Sequence, residues 1–257
     1  MARVDSDKEA ALSARKPLRI VVAAGLIVGL PQYASAMHIS EGILPLDWAV
    51  FWFVMAVPFV ALGLRELRRL SETSPQLKAM VGLVGAAVFV ISCMPIPVPT
   101  AGTCSHPCGT GMAAILIGPW LTVVVASVAL ALQALFLAHG GLTTLGADIV
   151  SMGIAGAFVG YGTFVVARRL GLPLMVAAFA AGLLSDWATY AVTSAVLALA
   201  LHGDALAWNV FLAIGVAFIP TQLPLGVLEG FLAAGAYRFV CGRHPEYLRL
   251  VKKGSPS

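Results

Sequence analysis

The chain has 257 residues, 60% of them hydrophobic and 11% charged, with a net charge of +4 at pH 7 and a mean hydropathy of +0.93. A soluble globular domain is about 45–50% apolar and about 25% charged, so a soluble fold is excluded and a polytopic helical membrane protein is expected. Four cysteines form no C-x-x-C pair, so neither a zinc ribbon nor a disulfide scaffold is indicated.

The amino-terminal stretch carries Arg3, Lys8, Arg15, Lys16 and Arg19, then an apolar run from Ile20 to Leu30, then Ala34-Ser35-Ala36. A basic start, a short apolar core and an A-x-A end are the three parts of a secretory signal peptide. The run is also too short for a comfortable span, which needs about 20 residues. Residues 1–36 are therefore expected to be a cleavable signal peptide. Cleavage after Ala36 would start the mature protein at Met37-His38. The other reading is an uncleaved anchor with an incidental His.

Further on, spans are expected from about Trp48 to Leu64 and from about Ala79 to Pro95. A polar, Pro/Gly-rich loop follows from Pro99 to Gly111, with His106 near its middle. Met112 to Gly118 is a short apolar stub, broken at Gly118-Pro119. Three spans come next, from Trp120 to Leu137, Asp148 to Ala167 and Leu172 to Leu201. The last apolar stretch, Leu206 to Tyr237, contains Pro220 and Pro224 and reads either as one kinked helix or as two pieces.

Charge sets the orientation, because Lys and Arg concentrate on the cytoplasmic side. If the stub crosses as its own short helix, there are about seven transmembrane helices. The mature N-terminus is then outside, the C-terminus is cytoplasmic, and all sixteen Lys and Arg lie inside. Merging the stub with the next span would put Arg168 and Arg169 outside. The expected fold is therefore an all-α membrane protein, with a membrane domain over 37–240 and a cytoplasmic tail over 241–257.

The same topology brings Met37, His38 and His106 to one face. A free α-amine next to a histidine can close two fused chelate rings, through the amine, the His38 backbone nitrogen and His38 Nδ1. The His106 imidazole supplies a fourth nitrogen. A square-planar set of four nitrogens suits Ni(II) or Cu(II) better than Zn(II) or Mg(II). Taken alone, His106 also reads as a hydrogen-bonded loop residue.

Other polar residues within spans are Gln133, Asp148, Asp186, Gln222 and Glu229, functional candidates by default. Asp148 sits at a helix start, where a capping role suffices. Asp186 and Glu229 are placed to pair with each other or to line an ion route. Cys104 and Cys108 flank His106 and are open to three readings: a disulfide, thiolate ligands, or small buried residues. Gly156-x-x-x-Gly160 allows close helix packing. The inner-face Arg65, Arg68, Arg69, Arg168 and Arg169 suit a partner subunit or anionic lipid. There is no G-x-x-x-x-G-K-[ST] loop and no H-E-x-x-H pair, so the chain is expected to be neither an ATPase nor a metallopeptidase. A passive channel or a purely structural membrane protein is the remaining alternative class.

Met37-His38-Ile39-Ser40-Glu41-Gly42-Ile43-Leu44-Pro45 resembles the amino-terminal signature of the CbiM/NikM family. The residues from Gly102 to Trp120 resemble its second signature, and Gln133-Ala134-Leu135-Phe136 with His139 to Ala147 a third. These are the substrate-binding membrane components of energy-coupling factor (ECF) transporters for cobalt and nickel. The resemblance implies a seven-helix fold with a metal held by Met37, His38 and His106. Co(II), with Ni(II) as the alternative, would be the transported ion and would serve cobalamin synthesis; no resident cofactor is implied. The implied partners are a CbiQ-type transmembrane coupling subunit, CbiO-type ATPases and a small CbiN-type subunit, in the cell inner membrane. Ser40-Glu41-Gly42 is closer to the cobalt branch than to the nickel branch. The chain departs from the family in its 36 residues before Met37, and in Cys104 and Cys108 where Ser or Thr is usual.

Overall fold

Apolar runs long enough to bury themselves in lipid make helices wherever the backbone must satisfy its own hydrogen bonds. The computed structural model describes residues 39–73, 75–94, 96–98 and 103–243, so Met37, His38, the expected signal peptide and residues 244–257 lie outside the described residues. Seven helices occur among them: α1 (Leu46–Thr73), α2 (Pro75–Ser92), α3 (Thr110–Ile117), α4 (Pro119–Phe136), α5 (Leu145–Arg169), α6 (Leu174–Leu201) and α7 (Ala207–Arg243).

Five of them, α1 and α4 to α7, are long and apolar enough to cross a membrane. Helix α1 runs on through Arg65, Arg68 and Arg69, since basic residues leave the apolar layer without being poor helix formers. The last apolar stretch is one helix, and Pro220 and Pro224 lie inside it. Helix α5 contains a π-helical segment, Ile149–Gly156, which re-registers its faces. Large side chains such as Val54, Phe136, Phe231 and Phe239 are exposed on the outside of the bundle, as suits a surface bathed in lipid rather than water.

Two elements depart from simple spans. The polar loop expected between the second span and the stub is partly a small antiparallel hairpin, β1 (Ile96–Val98) with β2 (Thr103–Ser105), registered so that Pro97 faces Cys104. The stub is a separate helix, α3, of 8 residues, and every one of them is buried. Its rise is about 12 Å, less than half of the roughly 30 Å hydrocarbon layer. Helix α3 is thus a half-helix wrapped by α2, α4, α5, α6 and α7.

What lets neighbours close around α3 is a stripe of small residues, since TM packing without a hydrophobic driving force favours close backbone approach. A Cβ at Gly111 would lie 2.7 Å from Ser185 Cβ and 2.8 Å from the Ala181 carbonyl oxygen. A Cβ at Gly160 would meet Gly111 Cα at 3.0 Å, and one at Gly156 would meet Thr110 and Thr189 Oγ1 at 2.7 Å. The Gly156-x-x-x-Gly160 pair therefore serves packing inside the fold.

Candidate functional site

The segment that follows His38 is pinned to the α5 end of the bundle. Ile39 is fully buried. Its N–H donates to Asp148 Oδ1 at 3.2 Å, and Thr144 Oγ1 donates to its carbonyl at 2.7 Å. Two residues on, Glu41 accepts from the Thr143 backbone N–H at 3.2 Å and from Thr143 Oγ1 at 2.5 Å. Gly141 is required beneath it, because any side chain there would collide with Glu41. Asp148 sits in the first turn of α5, at the helix start where it was expected, and it also holds Ile39, 109 residues away in sequence. A dipole argument sees only the helix, not the irregular amino-terminal segment that comes to lie against it.

His106 lies between β2 and α3 and is buried. The Tyr190 hydroxyl of α6 accepts from the His106 N–H at 2.9 Å and donates to the His106 carbonyl at 3.0 Å. Both backbone groups are thereby fixed. His106 Nδ1 lies 2.9 Å from the Pro107 carbonyl; because a carbonyl only accepts, Nδ1 carries the hydrogen and Nε2 carries the lone pair. Burial lowers the pKa of His106 to about 4, the Pro107 bond opposing it and the nearby His139 adding to it. The imidazole is neutral near pH 7, the form that ligates metals.

Helix α6 ties the two places together. Tyr190 touches His106, while Val192, Val196 and Leu197 pack against Ile39. At 1.5 Å per residue the interval from Tyr190 to Leu197 is about 10 Å. Sequence reasoning missed Tyr190; its position one turn from Asp186 on the same helix face was the available signal.

Beneath His106 lies a second set of polar groups. The Glu229 carboxylate of α7 accepts from the Cys108 N–H and from the Gly109 N–H at 3.1 Å. It thus sits at the N-terminus of α3, where exposed N–H groups and the dipole favour an anion. Gly109 has φ 69°, a left-handed turn that glycine tolerates. Cys108 Sγ is 3.9 Å from Asp186 Oδ1. Cys108 is a free thiol, and the side chain of Cys104 lies outside the described residues. The Gln222 amide completes the group, its nitrogen 2.9 Å from Asp186 Oδ2 and its oxygen 3.2 Å from the Tyr190 hydroxyl. Asp186 and Glu229 thus meet around Cys108. Gln133 is elsewhere, donating to Ser92 Oγ at 2.7 Å.

These features define a multi-pass helical membrane protein with a polar site at the hairpin–α3 junction. The profile of the CbiM family, described as a cobalt uptake substrate-specific transmembrane region, matches residues 38–247. A protein named Cobalt transport protein CbiM from Sorangium cellulosum (strain So ce56) is 62% identical over 212 residues, 82% of this chain and 94% of that protein. One of the same name from Geobacter sulfurreducens (strain ATCC 51573 / DSM 12127 / PCA) is 56% identical over 247 residues, 94% of this chain and 71% of that protein. A crystal structure described as a truncated transition metal transporter shares the fold, with a TM-score of 0.72 at 23% identity over 81% of this chain and 100% of that chain. The chain belongs to the CbiM family.

Proposed function

We propose that the mature chain, starting at Met37, is the substrate-capture component of an ECF importer and binds Co(II) at the outer face of the inner membrane. The ligands are the Met37 amine, the His38 backbone nitrogen and imidazole, and the His106 imidazole. The observation behind this reading is the double grip of Asp148 and Thr144 on Ile39, the residue bonded to His38, on the same helix-α6 neighbourhood as a neutral, oriented His106. Cobalt is favoured by the names of the relatives. Four nitrogens also suit Ni(II), and nickel is the competing cargo. Chemical work would come from a CbiQ-type coupling subunit and CbiO-type ATPases, with a CbiN-type subunit beside them, and Arg168 and Arg169 on the cytoplasmic side as the positive-inside rule requires.

The test is intact mass of the membrane-extracted protein combined with Co(II) titration. Loss of residues 1–36 and a 1:1 high-affinity site that disappears in His106→Ala support the reading. Transport-active protein with Met1 attached overturns it.

A further inference from the structure

The groups around Cys108 do more than hold α3. One ligand atom each from Cys108, Asp186 and Glu229 lies within 4.8 Å of the other two, a separation that a single divalent ion can bridge. All three residues are buried. They come from the α3 junction, α6 and α7, so no local turn accounts for their meeting.

Charge points to a cation as well. Among the described residues the ion pair is Arg69 with Glu66, and no Lys, Arg or His is paired with Asp186 or Glu229. Two carboxylates and a thiol in a membrane interior without a basic partner are costly unless protons or a metal neutralise them. A thiolate with two carboxylate oxygens suits borderline ions such as Co(II), Ni(II) and Zn(II) better than Mg(II) or Ca(II). Three protein ligands leave a position open, as befits a site that must let go.

Position gives the group a role. Asp186 precedes Tyr190 by one turn of α6, about 6 Å, toward the Leu174 end. The Cys108 thiol also lies 3.9 Å from the His106 carbonyl. Asp186, and the trio with it, therefore lies one turn of α6 from Tyr190, the residue that holds His106.

We propose that Cys108, Asp186 and Glu229 form a second, transient site for the transported divalent ion, one helical turn inward of the capture site. The word inward rests on the capture reading above; the site itself does not. On occupancy a metal–sulfur bond forms, the Cys108 proton leaves to solvent, and any carboxyl proton follows it.

The test uses the full mature chain in detergent with Co(II) chloride as probe. In wild type a second equivalent of Co(II) should add a sulfur-to-cobalt charge-transfer band in the near ultraviolet. His106→Ala should lose the first equivalent and keep that band. Cys108→Ser should lose the band and keep the first equivalent. Absence of the band in wild type, or its survival in Cys108→Ser, overturns the second site and leaves a proton-neutralised cap on α3. The wild-type measurement decides the matter even if a variant fails to fold. A wild type with the sulfur band but no His106-dependent equivalent would instead overturn the capture reading alone.

Discussion

Tyr190 closes a two-bond clasp on the backbone of His106, receiving its N–H at 2.9 Å and donating to its carbonyl at 3.0 Å. One hydroxyl thus fixes the backbone of His106 in the segment between β2 and α3. Tyr190→Phe removes the clasp while keeping the ring, whose centroid is 6.2 Å from the imidazole. The stranded groups should cost about 1–3 kcal/mol. Co(II) affinity should fall roughly tenfold, as for other supporting partners of metal ligands. Calorimetric titration beside a thermal melt separates the two effects; unchanged affinity would mean that the loop orients His106 unaided.

Asp148 is predicted to act on the metal through Ile39. Asp148→Asn retains an acceptor for the Ile39 N–H and should bind Co(II) nearly as wild type. Asp148→Leu leaves a buried N–H without a partner, at about 1–3 kcal/mol, and should weaken Co(II) binding and expose the amino-terminal segment to limited proteolysis. Equal behaviour of the two variants would remove Asp148 from the site.

An Ala inserted between Met37 and His38 keeps every side chain but enlarges a chelate ring. Binding should then fall by at least a hundredfold, a loss typical of a broken ligand set. Titration followed by the visible absorption of bound Co(II) or Ni(II) reads it. Wild-type affinity in this variant would show that the amine is not a ligand.

The pH dependence of the metal-free protein follows from His106. Its pKa is lowered from the ordinary 6.5 to about 4 in the folded chain. Between these values the unfolded chain holds a proton that the folded one refuses, so stability falls as pH drops from 6.5 towards 4. The loss from this group is on the order of 3 kcal/mol at pH 4. The melting temperature of wild type should therefore fall relative to that of His106→Gln as pH is lowered from 6.5 to 4, and a difference that stays constant across that range would show that His106 is not the group responsible.

Sequence patterning captured the long elements well. Helices α4, α5 and α6 start and end near the apolar runs that announce them, α1 runs on past its expected end at Leu64 to Thr73, and the Gly118-Pro119 break is where α3 ends and α4 begins. The Asp186–Glu229 meeting was visible as two acids in neighbouring spans. That the Cys108 N–H meets Glu229 was not, since the two are 121 residues apart and no periodicity links them. The hairpin went unread because Pro97 and the Pro99 to Gly102 stretch have the composition of irregular loop. Tyr190 was passed over as one more apolar span residue, its hydroxyl being the part that matters.

A half-helix with no lipid-facing residue has a consequence for biogenesis. Every residue of helix α3 is buried, and the two N–H groups just before it, those of Cys108 and Gly109, donate to Glu229. When Cys108 and Gly109 are synthesised, Glu229 is still more than a hundred codons away. The segment must wait, sheltered near the insertion machinery or held at the membrane surface, until α6 and α7 arrive to enclose it. A chain halted before α7 would therefore hold four of the five long helices, with the approach to α3 still lacking the Glu229 carboxylate that fixes it.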